Sequence, residues 1–233
     1  MMEQLSIVIP CYNEEKRIEK TLKIIKDYCE HNISKYEIIL VNDGSTDNTG
    51  ILLDKYRNDK IKVLTFYGNC GKGAAVKKGI ETSEYNYILF TDADNSTPIE
   101  QIEKLYPFIQ NNDIVIGSRE IDSSSVIVSQ HIGRKFIGWC FRQLYYLLLG
   151  LKIKDTQCGF KLFRRENALK IFNEMKIERW AFDVEILYLY KKYKYSILEV
   201  GVTWYDDKFT HIRPIRDGIQ MFCHLIKIRL IHG

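Results

Sequence analysis

At 233 residues the chain fits one compact domain, or one domain with an appendage, and a 45% apolar fraction argues against disorder. The formal charge of +4 is mild; it favours an anionic ligand or surface only weakly and speaks against a dedicated nucleic-acid binder. The cysteines at 11, 29, 70, 140, 158 and 223 form no CxxC pair and no metal-like spacing with histidine, so they read as small buried apolar residues of a reducing compartment.

The first apolar run, ending at Pro10, is too short for a signal-peptide core with its cleavage site. Nowhere do roughly 18 consecutive apolar residues occur, so no segment is expected to span a bilayer. The expected location is the cytoplasm, free or peripheral at the cytoplasmic face of a membrane.

Short, β-branched apolar runs predict strands over 5–10, 37–41, 61–66, 87–91 and 114–116, each of the kind covered on both faces. Helical patterns lie between them. Ile18, Leu22, Ile25 and Cys29 recur on one helical face. Ser45, Thr46 and Asp47 are N-cap candidates before Ile51, and Pro98 stands near the start of a helix running to Ile109. Strand alternating with helix implies a mostly parallel α/β sheet with helices on both faces, whose ligands sit beyond the carboxyl ends of the strands. Polar residues follow every strand: Tyr12-Asn13-Glu14, Asn42-Asp43-Gly44, Gly68 to Lys72, Asp92 with Asp94, and Ser118-Arg119.

After Arg119 the alternation stops. "EIDSSSVIVSQ" reads as a loop, and a helical stretch from about 132 to 149 follows. Then come "DTQCGFKLFRR", a helix holding "FDVEILYLYKKY", a strand "SILEVGVTW" and a basic, partly amphipathic helix over 214–233.

The strongest chemical signal is "FTDADN", where a strand runs straight into two carboxylates. Two like charges this close raise one pKa unless a cation intervenes. Oxygen donors suit Mg²⁺ or Mn²⁺ bridging a substrate diphosphate; the plainer reading is that Asp92 caps a turn and Asp94 the next helix. "GNCGKGAAVKKG" is not a Walker motif, because Lys72 is followed by glycine. It reads as a turn before a helix, with Lys72 either directed at a phosphate or not, and Ala74-Ala75 allowing close packing on the sheet. Arg119 can grip a phosphate or carboxylate in a bidentate way, or pair with Glu120 or Asp122. Arg134 and Lys135 are candidates for an anionic acceptor or for a solvated face. Asp183 and Glu185 lie on opposite sides of a helix start, so one of them, Asp183 by preference, faces the site.

"VIPCYNEE", "ILVNDGSTDNT" and "FTDAD" together resemble the nucleotide-sugar-binding half of family 2 glycosyltransferases, which adopt the GT-A fold. "GKGAAVKKG", "GSR", "DTQCGFKLF" and "FDVEIL" extend the resemblance to the polyprenyl-phosphate glycosyltransferases, especially the dolichyl-phosphate β-glucosyltransferases. It implies one GT-A domain over 1–233, with a nucleotide-sugar half at 1–119 and an acceptor half of further helices at 120–233. Pro10, Tyr12 and Glu14 would then line the base pocket, with Val41 and Ala93 in the same nucleotide-contacting set. Asp43 would accept a hydrogen bond from base or ribose, Asp92 would touch ribose or metal, and Asp94 would ligate Mg²⁺ or Mn²⁺ through the diphosphate. Tyr12 offers a flat face for a pyrimidine, or else is a core aromatic; Asp43 is a reader of the base or a turn residue. Gln157 would reach sugar hydroxyls, Gly159 would permit close backbone approach, and Lys161 would serve the acceptor; a structural turn entering a strand is the alternative.

The activity so implied is inverting transfer of a hexose, glucose from UDP-glucose being favoured over mannose from GDP-mannose, to a polyprenyl phosphate. A phosphate acceptor is already anionic and needs no strong base, whereas a saccharide hydroxyl would need one, Asp183. A saccharide-directed enzyme and a catalytically idle nucleotide-sugar-binding scaffold are the rival readings. Membrane contact would come from the aromatic stretch Phe136, Ile137, Trp139, Phe141, Tyr145, Tyr146 and Leu147 to Leu149, and from the basic tail with Arg213, Arg216, Lys227 and Arg229; both are equally readable as packing against the core.

Overall fold

The computed structural model describes residues 2–121, 125–126, 142–205 and 214–233, with the backbone alone at 125–126 and 214–221. Strands β1 (Met2–Cys11), β2 (Ile33–Asn42), β3 (Ile61–Thr65), β4 (Tyr87–Thr91) and β5 (Ile114–Ser118) alternate with helices α1 (Ile18–Asn32), α2 (Thr49–Asp54), α3 (Lys72–Thr82) and α4 (Ile102–Ile109). A 3₁₀ turn over Ile99–Gln101 leads into α4. Then follow β6 (Ser125–Val126), helical residues 142–149 (α5), β7 (Phe160–Arg164), α6 (Arg165–Glu174), α7 (Phe182–Lys192), β8 (Ile197–Gly201), β9 (Thr203–Trp204) and α8 (Pro214–His232).

Seven strands form one sheet in the order β3-β2-β1-β4-β7-β5-β8, and β6 pairs β9 in a separate small ladder. Every pairing in the large sheet is parallel except those of β7, which runs antiparallel between β4 and β5. The five predicted strands are all present. β2 begins earlier than expected because α1 passes directly into it at Ile33, whose N–H caps the helix on Cys29, and β1 begins earlier because Met2 pairs with Ile33.

Strand alternation sorts the core into two layers. Val8, Val41, Ile88 and Phe90 face α3, α6, α7 and α8; Ile7, Ile9, Leu40 and Leu89 face α1 and α4. On the first layer α3 lies very close to β1: a Cβ added to Gly79 would stand 2.2 Å from Val8 Cγ1. That approach, with buried Ala75, is the close helix-on-sheet packing the small residues of this segment predict. Helix α5 has both environments. Tyr145 and Leu149 enter the core, whereas Tyr146 and Leu147 are exposed. Helix α8 likewise buries Leu225 and Ile228 and exposes Phe222, Ile226 and Leu230. Among the described residues no helix is long and apolar enough to cross a membrane. Cys11, Cys29 and Cys158 are buried and Cys70 and Cys223 exposed, all five as free thiols; Cys140 lies outside the described residues.

Candidate active site

The carboxyl ends of β1, β2, β4 and β5 open on one edge of the sheet, and two loops there are laced together by side chains. Asn13, in the left-handed region at φ 56°, donates its N–H to Ser45 Oγ at 3.1 Å and accepts from the Thr46 N–H at 2.8 Å. The Glu14 N–H reaches Thr49 Oγ1 at 2.7 Å, and Asp47 accepts from both Glu15 and Thr49 N–H groups. Asp47 thus serves the start of α2 as its position before Ile51 predicts, although Asn48 is the capping residue by backbone. The polar residues of "YNEE" and "STDNT" therefore build a rigid rim on which Tyr12 remains 44% exposed, with Pro10 buried behind it. Glu14 is clamped by Arg17; burial raises its carboxyl, against the pull of that guanidinium.

Asp43 is buried and its oxygens are taken up within the protein. They accept from the N–H groups of Cys70 (2.7 Å) and Gly71 (2.9 Å) and from Asn69 Nδ2 (3.1 Å), so this carboxylate shapes the loop before α3. Gly71 sits at φ 107°, which L side chains rarely adopt, and a Cβ there would meet Glu178 O at 2.5 Å. Val41, expected in the nucleotide-contacting set, has its side chain wholly buried in the core of β2, on the layer that packs against α3. Ala93 is buried too, its carbonyl accepting from Thr21 Oγ1 at 2.8 Å.

At the end of β4 the two aspartates part company. Asp92 Oδ1 is 2.6 Å from Lys72 Nζ, at the first turn of α3. Asp94 turns the other way and accepts from the Ser96 N–H at 2.8 Å. Burial, and then the negative charge of Asp92, push the Asp94 carboxyl up. The Asp92 N–H donates to Gly159 O at 3.1 Å, and a Cβ on Gly159 would fall 1.9 Å from Asp92 Oδ2, so glycine at 159 leaves room for this carboxylate. Two hard oxygen donors that repel each other at a strand mouth fit a divalent cation in charge and chemistry: a cation there would offset both the burial and the neighbouring charge that raise Asp94.

Behind the aspartates the charges alternate. Lys72 Nζ is drawn by Asp92 and also by Asp183, on the first turn of α7; Asp183 Oδ1 accepts from Lys161 Nζ at 2.5 Å. Both ammonium groups lie over the Phe90 ring, at 5.3 and 5.7 Å from its centroid. Lys161, expected at the acceptor, is 0% exposed and bound to Asp183 and to the Cys158 carbonyl, so its ammonium is spent inside the protein. The reason is the antiparallel insertion of β7, which turns its side chain into the core. Asp183 and Glu185 do face apart. Glu185 is fully buried, receiving the N–H groups of Lys176 and Ile177 at 2.9 and 2.7 Å and His232 Nε2 at 2.7 Å.

Arg119 makes its two-pronged grip on Asp155 and not on Glu120: Nε to Oδ2 is 2.7 Å and Nη2 to Oδ1 is 2.9 Å, while Asp122 lies outside the described residues. Burial alone would raise the Asp155 carboxyl, but Arg119 outweighs it and holds Asp155 below the ordinary carboxylate range. Glu120 pairs with Arg142 at 2.9 Å. Gln157 is exposed on the turn before β7. Arg134, with Lys135, lies outside the described residues, as do Arg213 and the aromatic residues 136–141. Sequence reasoning missed Trp180, exposed beside Lys72, whose signal was its place three residues before Asp183.

The chain compares as follows. The profile of glycosyl transferase family 2 matches residues 6–172. The dolichyl-phosphate β-glucosyltransferase of Homo sapiens is 37% identical over 244 residues, covering 98% of this chain and 75% of that protein. The one of Dictyostelium discoideum is 38% identical over 240 residues, covering 97% and 73%. Glucosyl-3-phosphoglycerate synthase of Mycobacterium tuberculosis, solved in complex with Mn²⁺, UDP and glucosyl-3-phosphoglycerate, superposes with a TM-score of 0.71 at 18% identity over 97% of this chain and 78% of that one. The motifs, the mixed sheet and these likenesses agree: the chain belongs to glycosyl transferase family 2, has the GT-A fold, and is similar within the family to the dolichyl-phosphate β-glucosyltransferases.

Proposed function

We propose that this protein transfers glucose from UDP-glucose to a dolichyl or other polyprenyl phosphate, inverting the anomeric centre. The observation that carries the reading is the identity with the dolichyl-phosphate β-glucosyltransferases, which extends over 98% of the chain and so includes the acceptor-side motifs "DTQCGFK" and "FDVEIL". The geometry around Asp183 supports a phosphate acceptor. A general base must reach the proton it removes, and Asp183 is 3% exposed and bound to Lys161. A monosubstituted phosphate, with a second pKa near ~6, is largely dianionic at neutral pH and attacks without such a base.

Asp94 and Asp92 are the residues that would hold Mg²⁺ or Mn²⁺, as the Mn²⁺ and UDP of the mycobacterial synthase support. When bound, that cation supplies electrostatic stabilisation of the departing diphosphate. Lys72 adds a second positive charge on the same side, and Tyr12 gives the pyrimidine a flat exposed surface. A lipid acceptor would be met at a membrane face, and the exposed apolar residues Tyr146 and Leu147 of α5 and Phe222, Ile226 and Leu230 of α8 are the contacts offered for it.

The test is a donor and acceptor matrix: UDP-glucose, UDP-galactose, UDP-N-acetylglucosamine and GDP-mannose against short polyprenyl phosphates and simple sugars, with Mg²⁺, Mn²⁺ or chelator. Glucosyl-phosphoprenol from UDP-glucose is expected. Product only on sugars, or only from GDP-mannose, overturns the acceptor or the donor assignment respectively. Co-sedimentation with anionic vesicles checks the membrane assignment; protein left in the supernatant refutes it.

A further inference from the structure

We propose that Trp180 is the platform on which the hexose ring of the donor lies. Trp180 is 66% exposed, and yet it stands on a support fixed at both ends. On one side buried Glu185 holds the N–H groups of Lys176 and Ile177. On the other, the Ala74 N–H of α3 donates to Glu178 O at 3.0 Å, and the Phe182 N–H closes a turn on Arg179 O at 3.1 Å. The contact with α3 is so close that a Cβ on Gly73 would meet Phe182 Cβ at 2.7 Å and Ile177 O at 2.8 Å. A large aromatic surface is thus presented rigidly to solvent, a preorganised arrangement that loses little entropy when a ligand covers it.

Its neighbour locates the ligand. Lys72 Nζ lies 5.3 Å from the Trp180 ring centroid and 2.6 Å from Asp92 Oδ1, so the indole is one lysine away from the carboxylates that face the diphosphate. In the donor reading the base end of the site is elsewhere, on the rim that carries the exposed Tyr12. The group bonded to the far phosphate is the sugar. A hexopyranose has one face of C–H groups, which buries well against an aromatic ring, and a polar edge that keeps its hydroxyls in water or on side chains. The assignment rests on the donor reading above and adds the residue that distinguishes a sugar-bearing nucleotide from the bare one.

The experiment compares UDP with UDP-glucose by calorimetry in the presence of Mn²⁺ for the whole protein and for Trp180→Phe and Trp180→Ala, with thermal melts to show that each variant is folded. Trp180→Ala is expected to weaken UDP-glucose binding about tenfold, the loss of one stacked aromatic contact, while UDP binding is unchanged and Trp180→Phe stays near the parent. Equal losses for UDP and UDP-glucose would place Trp180 under the nucleotide, and no loss for either would remove it from the donor site; both overturn the platform alone. A parent protein that binds neither compound overturns the donor reading and the platform with it.

Discussion

Lys72 Nζ lies 2.6 Å from Asp92 Oδ1, so the first carboxylate at the mouth of β4 already has a cation supplied by the protein. From sequence the aspartate pair needs a divalent ion to be tolerable; in the fold that task is shared, because α3 delivers an ammonium to the same oxygen. Asp94 has no such partner among the described cations at bonding distance and keeps the raised carboxyl.

Removing that internal cation returns the repulsion to a bound metal. Lys72→Met is expected to tighten Mn²⁺ binding in the absence of nucleotide, read by electron paramagnetic resonance of the free ion, and to lower turnover with donor. Unchanged Mn²⁺ affinity would show that Asp92 is not a metal-facing group.

Asp94→Asn is expected to lower kcat/KM by roughly 10²–10³, the scale for loss of one preorganised electrostatic group. The raised carboxyl also sets a pH dependence. Protons compete with the cation, so metal-dependent UDP binding falls on acidification at a pH above the ~3.9 of an ordinary aspartate. Asp92→Asn removes the neighbouring charge and moves that fall to lower pH, which UDP titrations between pH 4 and 7 would detect.

The Arg119–Asp155 pair makes a stability prediction. Asp155 is held below its unfolded value, so its contribution is complete above ~4 and is lost as pH falls through the folded value. Arg119→Ala leaves a buried, unpaired carboxylate and costs about 3–5 kcal/mol near neutrality. In the variant the unpaired carboxyl rises above its unfolded value, so acid relieves the penalty. Urea midpoints of the two proteins should converge as pH is lowered; a constant gap would refute the pairing.

Lys161 and Asp183 test whether a buried ion pair is a source of stability or only of order. Lys161→Met alone should destabilise by about 3–5 kcal/mol, because Asp183 is left buried without its partner. Lys161→Met with Asp183→Leu should recover most of that loss in denaturant melts. If the double variant is as unstable as the single one, the pair contributes more than it costs.

Gly159→Ala probes the contact between the turn before β7 and the Asp92 carboxylate. The added methyl would land 1.9 Å from Asp92 Oδ2. Overpacking of this kind costs ~1–3 kcal/mol, and donor-dependent activity should fall further than the melting temperature accounts for. Full activity would mean that Asp92 can leave its observed place freely.

Much of this architecture was readable along the chain. Each of β1 to β5 is a short apolar run bounded by turn residues, and each is followed by its polar strand end, so local patterning announces both the strands and the edge where a ligand binds. The aspartates at 92 and 94 were legible for the same reason. Their meaning follows from what sits directly beside them in the chain.

What depends on distant partners was not legible. "DTQCGFK" looks like a turn entering a strand, and it is one; that the strand slips antiparallel between β4 and β5 rests on pairings between segments far apart in the chain, such as Thr91 with Phe160 and Ile116 with Lys161, which no local period records. That insertion turns Lys161 inward to Asp183, puts Gly159 against Asp92 and gives Arg119 its partner in Asp155. Residue type and neighbourhood in the chain therefore determined the fold class, the strand ends and the family. Which charges meet, and which are buried, was decided only when the sheet closed, because Coulomb and desolvation energies depend on separation in space.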